Sequence, residues 1–177
     1  TRPLLTFGIF AMILFTSSGF HIYYNTNVVN EYTNSDDEKK LSAEYEEKLK
    51  RYKSMVQPKI VDTKVDVDIF PMERDFNAKG YYILRNKSDQ PINEIYIQSN
   101  IGDDFTNIVK IAGKEADESF DQFGFEIFKL SEPMLPGEEL KLDFEVIFET
   151  NGFQESRSDN SVIYNGTFFN NFYFPTI

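Results

Sequence analysis

The hydrophobic and polar positions divide the chain into three segments with different periodicities. The first segment, Leu4 to Tyr24, reads LLTFGIFAMILFTSSGFHIYY and contains no Asp, Glu, Lys or Arg. About 20 such residues form a helix long enough to cross the hydrocarbon core of a bilayer. Tyr23 and Tyr24 end the segment, where amphipathic rings favour the membrane interface. The pattern predicts a transmembrane helix over residues 1–25, with a signal peptide or a buried soluble helix as alternatives.

The second segment, residues 26–57, carries a narrow apolar stripe on a charged background. Thr33, Asn34 and Ser35 are candidate helix N-caps, and Pro58 ends the helical pattern. The pattern predicts a solvated linker helix that packs on the next domain, and a short self-associating coiled coil is the alternative. The stripe positions recur at steps of three and four residues: Leu41, Tyr45, Leu49, Tyr52 and Val56.

The third segment, residues 58–177, alternates between apolar and polar positions as β-strands do. The stretches VDTKVDVDI, GYYILRN, NEIYIQS, FGFEIFKL and LKLDFEVIFE predict strands, and KSDQP, LPGEE and TNG predict turns. In FGFEIFKL the inward register shifts near Ile127 and Phe128, which predicts a bulge. Strands at this spacing predict a mainly β domain, an antiparallel β-sandwich of about seven to nine strands. The residues of LKLDFEVIFE predicted to face inward are Leu140, Leu142, Phe144, Val146 and Phe148.

The composition of the chain excludes several classes of functional site. The chain contains no Cys and a single His, His21, so a disulfide, a thiolate metal site, a His-rich zinc site and a His-based triad are excluded. The net charge of -11 lies entirely within residues 57–177, which argues against nucleic acid as a partner. Asp66 and Asp68 face the same side of a strand, and a solvated face explains them better than calcium. We therefore assign no catalytic residue and no metal ligand.

The closing stretch NGTFFNNFYFPTI is the most unusual part of the sequence. Its aromatic residues are too dense for one face of one exposed strand, and an exposed aromatic patch of this size typically marks an interface. Because the sequence begins at Thr1 and stops just after this run, we expect it to be a piece of a longer protein. The run is then predicted to form the seam with a following domain, and filling of the domain's own core is the alternative. The aromatic residues are Phe168, Phe169, Phe172, Tyr173 and Phe174.

Three stretches together resemble a group of bacterial fusion proteins. These are YYNTNVVNEY after the apolar helix, VDVDIFPMERDFNAKGYYILRNKSDQPI, and the closing NGTFFNNFYFPTI. In that group an ABC-type permease part is followed, outside the membrane, by an aminopeptidase N-like zinc metallopeptidase part. The resemblance covers essentially all 177 residues. Its second stretch is similar to the start of the N-terminal β-sandwich, or saddle, domain of the peptidase part.

The resemblance implies a role for each segment. Leu4–Tyr24 would be the last permease helix in a bacterial inner membrane, and residues from about 26 onward would be extracytoplasmic, in the periplasm. Residues 58–177 would be the saddle domain, cut at its junction with the catalytic domain. This chain would then hold no cofactor, and zinc would bind in the following domain. Its partners would be the bilayer and that catalytic domain. A periplasmic binding or scaffold domain of a transporter, without peptidase activity, is the alternative.

The resemblance also implies site residues in the closing stretch. Active relatives of this kind supply a Gln and an acidic residue near the substrate amine, and this chain has Asn at the matching place, which hydrogen-bonds an amine but brings no charge. The resemblance therefore does not extend to the acidic residue that marks aminopeptidase specificity. The candidate substrate-facing edge consists of Thr167, Phe168, Phe169, Asn170 and Asn171, and the candidate interdomain contact consists of Phe172, Tyr173, Phe174 and Pro175.

Overall fold

The computed structural model describes residues 2–30, 32–102, 104–153 and 161–177. Helix α1 is Arg2–Tyr24 and continues as a short π-helix, Asn25–Val29. Helix α2 is Ser35–Leu49 and continues as a single 3-10 turn, Lys50–Tyr52. The strands within the described residues are β1 Lys59–Phe70, β2 Asp75–Arg85, β3 Ile92–Gln98, β4 Phe105–Ile111, β5 Glu118–Phe120, β6 Phe125–Met134, β7 Glu139–Phe148, β8 Val162–Ile163 and β9 Gly166–Thr167. The chain is therefore mainly β, as predicted.

The strands form two main antiparallel sheets. One sheet has four strands in the order β1-β2-β7-β4, and the other has three in the order β3-β6-β5. Strands β8 and β9 form a separate two-stranded hairpin. Alternation in β7 is as predicted, since Leu142, Phe144, Val146 and Phe148 are buried and Leu140 packs against them. Strands β4 and β5 have no counterpart among the predicted strands.

Both sheets contribute side chains to one hydrophobic core. The four-stranded sheet supplies Phe76 and Leu84 from β2, and the three-stranded sheet supplies Ile95 and Ile97 from β3. All four side chains are fully buried. Removing this much apolar surface from water is the main force that holds the two sheets together.

The bulge predicted near Ile127 and Phe128 is wrong. Pairing between β3 and β6 is regular there, with Tyr96 opposite Ile127 and Ile95 opposite Phe128, and the irregularity lies farther along, between Lys129 and Met134. Ile127 and Phe128 are both buried because they point to opposite faces of a sheet that is covered on both sides. Phe128 faces the main core, and Ile127 faces a second, smaller core beneath α2.

Helix α2 packs on the outer face of the three-stranded sheet. Its start is fixed by Asn34, whose side-chain oxygen accepts hydrogen bonds from the backbone N–H groups of Asp36 and Asp37. Leu49 is buried in the second core together with Tyr96, Phe123, Phe125 and Ile127. The rings of Tyr45 and Phe123 meet edge to face at 5.5 Å between centroids. The predicted apolar stripe is thus used only in its middle, because Leu41 and Val56 are exposed.

Helix α1 extends away from the β domain and is joined to it at its C-terminal end. Residues 2–29 form a helix long and apolar enough to span a membrane, and none of its apolar window is buried by protein. The junction depends on Asn30, which is buried. Its side-chain Nδ2 donates to the carbonyl oxygens of Asn25, Asn151 and Phe153 at 2.9, 3.0 and 3.3 Å. These bonds attach the end of the apolar helix to the loop that follows β7.

Candidate interaction surface at the C-terminal segment

The C-terminal segment is attached to the free edge of strand β3. Gln98 and Thr176 exchange two backbone hydrogen bonds of 2.9 and 2.8 Å, and they form an isolated antiparallel bridge. Farther along the same edge, the Gln57 side chain accepts from the Tyr96 N–H at 2.9 Å and donates to the Glu94 carbonyl at 3.1 Å. These contacts occupy backbone groups that an unprotected edge strand would offer to another chain.

Two asparagines shape the turn that precedes this bridge. The Asn170 side-chain oxygen accepts a hydrogen bond of 2.8 Å from the Phe172 N–H and so caps the 3-10 turn Asn171–Tyr173. The Asn100 side chain donates to the Phe172 carbonyl at 2.7 Å. The backbone of Phe172 is therefore held on both sides, which fixes the direction of its Cα–Cβ bond.

One part of the aromatic run packs inward. Tyr173 is 8% exposed, and its ring lies 5.0 Å from Phe76 and 5.0 Å from Phe169 between centroids. Phe174 packs against Phe144 at 5.7 Å, and Pro175 is fully buried. Aromatic pairs of this geometry contribute about 1 kcal/mol each beyond the area that they bury. Core filling thus accounts for this part of the run.

The other part of the run points to solvent. Phe168 is 71% exposed and Phe172 is 76% exposed, although the residues beside them are anchored. In the predicted substrate-facing edge, Thr167 and Asn171 are also exposed, whereas Asn170 is half-buried and uses its side-chain oxygen in the turn. The structure therefore leaves Phe168, Phe172 and Asn171 available for contact, and the roles given to these segments stay predictions.

A small polar cavity lies beside this surface and was not found from the sequence. Its volume is about 210 Å³. The Ser99 hydroxyl and the Asn107 side-chain oxygen line it, and both are buried without a hydrogen-bond partner among the described residues. Burial, and then the negative charge of Asp121, raise the pKa of the lining Glu126 carboxyl. Four different strands or turns contribute these residues, so no sequence spacing could have indicated the cavity.

The positions of the acidic residues and of His21 bear on whether this surface could bind a metal ion. Within the described residues there is no group of three or more His, Cys, Asp or Glu that could hold a metal ion. His21 lies in α1, where its ring contacts Phe153 at 5.7 Å between centroids. No protein-family model matches the chain, and no curated protein sequence matches it. The surface is best described as an exposed aromatic patch, Phe168 and Phe172, on an anchored segment; we call it the aromatic patch.

Proposed function

We propose that the chain is a non-catalytic, membrane-anchored module that positions a following domain through the aromatic patch. In this proposal α1 lies in a bacterial inner membrane, and the residues after it are periplasmic. The two sheets form a β-sandwich that corresponds to the saddle domain of an aminopeptidase N-like zinc metallopeptidase fused to an ABC-type permease. Zinc and the reaction chemistry belong to the following domain, and this chain supplies an edge of the substrate cleft.

The observation that carries the proposal is the exposure of Phe168 and Phe172 on a segment that is otherwise fixed. Leaving two phenylalanine rings in water is unfavourable, since burial of each ring would contribute about 2 kcal/mol. The hydrogen bonds of Asn170 and Asn100 hold the Phe172 backbone in place, so the side chain starts from a defined point on the surface. A preformed aromatic anchor of this kind suits a permanent contact with a neighbouring domain.

The alternative is a binding or scaffold domain of a transporter with no peptidase activity. The observation that favours it is the polar cavity, since Ser99 and Asn107, which line it, each have a buried side-chain oxygen without a hydrogen-bond partner among the described residues. The two functions differ in whether the following domain binds zinc and cleaves peptides.

Zinc content and hydrolysis of aminoacyl amides, measured on two purified proteins, separate these functions. One protein ends at Ile177, and the other continues through the following domain. The proposal predicts zinc and hydrolysis in the longer protein alone. A longer protein that is folded but binds no zinc and cleaves nothing would contradict the peptidase function and favour the binding domain.

The substrate-facing edge is tested in the longer protein with Asn171→Ala. Asn171 is exposed. The control is Asn165→Ala, because Asn165 is also an exposed asparagine and lies in the β8–β9 turn. We expect Asn171→Ala to raise KM several-fold with zinc content unchanged, because a hydrogen bond to the substrate is worth about 1 kcal/mol. An equal effect of both variants, or none, would remove Asn171 from the cleft.

A further inference from the structure

The turn between β1 and β2 is unusually apolar for an exposed hairpin. Ile69, Phe70 and Met72 are exposed there, and Met72 is 71% exposed. Turns of this length are dominated by Gly, Pro, Asn, Asp and Ser, and of these the turn 71–74 contains only Pro71. The backbone is well defined, since the Arg74 N–H donates to the Phe70 carbonyl at 2.9 Å. We call residues 69–74 the hairpin tip.

The hairpin tip is connected to the end of α1 through one short chain of contacts. The Arg74 guanidinium donates to the Gly152 carbonyl at 3.2 Å. Gly152 has φ of 62° and lies so close to the Asn25 side chain that a Cβ atom would collide with it. Asn25 belongs to the π-helix that continues α1, so the tip and the helix end lie on the same side of the β domain.

The same loop reaches the level of the last helical turn of α1. The Phe153 ring contacts the ring of His21, which lies three residues before Tyr24. Three residues of helix correspond to about 4.5 Å along its axis. Tyr23 and Tyr24 are exposed at this end of α1, in the position that tyrosines occupy at a membrane interface. The β domain therefore approaches the plane in which the apolar helix would leave the bilayer.

We propose that the hairpin tip is a membrane-contacting surface, in which Phe70 and Met72 insert into the interfacial region of the bilayer beside α1. The transfer of apolar side chains from water to this depth of the bilayer is favourable in free energy. Glu73 and Arg74 adjoin them and limit insertion, because their charges remain at the level of the headgroups. This inference rests on the proposed membrane location of α1 and adds a second contact, which fixes the tilt of the β domain over the membrane.

Quenching of a single tryptophan by brominated lipids tests this surface directly. The chain contains no Trp, so Met72→Trp introduces the only one. The 177-residue chain is placed in nanodiscs with or without lipids brominated near the headgroup end of the acyl chains. We expect the fluorescence of Met72→Trp to fall at least twofold with brominated lipid and its emission to lie at shorter wavelength than that of an exposed tryptophan.

Two further single-tryptophan variants make the outcomes distinguishable. Phe15→Trp lies in the middle of α1 and, in nanodiscs whose lipids are brominated near the ends of the acyl chains, reports whether the helix is in the bilayer. Leu135→Trp places the tryptophan near Asn86, at the end of β2 opposite the tip and about 33 Å from it. The side chain of Leu135 is 52% exposed. Urea midpoints equal to that of the unsubstituted chain establish that all three variants are folded.

Each pattern of quenching decides the question. Quenching of Phe15→Trp and Met72→Trp, but not of Leu135→Trp, supports the contact. Quenching of Phe15→Trp alone overturns the contact and leaves the membrane helix standing. Absence of quenching in Phe15→Trp overturns the membrane location of α1 and the contact with it. Equal quenching of Met72→Trp and Leu135→Trp indicates that the whole domain adsorbs to lipid and also overturns the specific contact.

Discussion

At the scale of single residues, Asn86 joins two strands from inside the domain. The residue is almost completely buried, and its Nδ2 donates to the carbonyl oxygens of Gln90 and Met134, both at 2.8 Å. Its Oδ1 accepts from the Ser88 N–H and the Ser88 hydroxyl at 2.9 and 2.7 Å. Asn86-Lys87-Ser88 matches a glycosylation sequon, but a buried amide with all its hydrogen bonds made is not an acceptor for a glycan.

Asn86→Ala should therefore destabilise the domain strongly. The substitution removes the donor to the Met134 carbonyl and the acceptor of the Ser88 N–H, whereas the Gln90 carbonyl keeps the Ser88 hydroxyl at 2.9 Å. We expect a loss of about 2 kcal/mol in the free energy of unfolding. Urea unfolding followed by circular dichroism measures it. The control is Asn165→Ala, because Asn165 is an exposed asparagine and should change stability little. A loss below about 1 kcal/mol would contradict the structural role given to Asn86.

A second prediction at this scale concerns high pH. Burial raises the pKa of the Tyr82 hydroxyl from 10.0 to about 12. Between these values the unfolded chain has lost this proton and the folded chain keeps it. The contribution of this group to the free energy of unfolding is therefore fully present below pH 10 and is lost as the pH rises toward 12. The expected slope for this group is about -1.4 kcal/mol per pH unit. Urea unfolding between pH 9 and 11 should show a steeper decline for the native chain than for Tyr82→Phe, and identical slopes would contradict the prediction.

At the scale of elements, the main lesson is the double coverage of the three-stranded sheet. Helix α2 packs on one face, and the side chains of the other face belong to the core that both sheets share, so β3 and β6 have buried residues next to each other in sequence. Ile95, Tyr96 and Ile97 are consecutive and all buried. Such a run cannot show the alternation of a sheet that is buried on one face only.

The docking of α2 is tested by one pair of leucines on the same helix. Leu49 is buried in the second core, whereas Leu41 is exposed. We expect Leu49→Ala to lower the free energy of unfolding by about 3 kcal/mol, because it leaves a cavity between α2 and the sheet. Leu41→Ala should change it by less than about 0.5 kcal/mol. Equal effects, read from urea midpoints, would mean that α2 does not pack on the sheet in solution.

This comparison also explains which parts of the fold the sequence could predict. Strand β7 was predicted residue by residue because it is buried on one face only, so its buried residues alternate with exposed or half-buried ones. The irregularity in strand β6 was predicted at Ile127 and Phe128 rather than between Lys129 and Met134, because the second covering layer, α2, is not visible in local alternation. Phe172 and Tyr173 were assigned together to the interdomain contact, yet the turn at Asn170 sends Tyr173 inward and Phe172 outward. That division also depends on tertiary contacts, namely the hydrogen bond from Asn100 to Phe172 and the packing of Tyr173 on Phe76, which no pattern of residue types specifies.

At the scale of the whole molecule, the C-terminal segment and the loop that holds the end of α1 lie at the same end of the four-stranded sheet. Tyr173 packs against Phe76 and Phe148, which are paired residues of β2 and β7. Phe148 precedes the loop Thr150–Phe153, to which the end of α1 is attached. A domain that docks on the aromatic patch would accordingly be held close to the membrane helix, as the proposed anchoring role requires.

The most direct test of that role is chemical labelling of the aromatic patch. Because the chain contains no Cys, Phe172→Cys provides a single thiol at the patch, and Ile108→Cys provides a control on the exposed part of β4. Labelling rates are read by peptide mass spectrometry in the chain ending at Ile177 and in the polypeptide extended through the following domain. We predict that Phe172→Cys reacts at least tenfold more slowly in the extended protein, while Ile108→Cys reacts equally in both. Equal rates for Phe172→Cys in the two proteins would contradict the account.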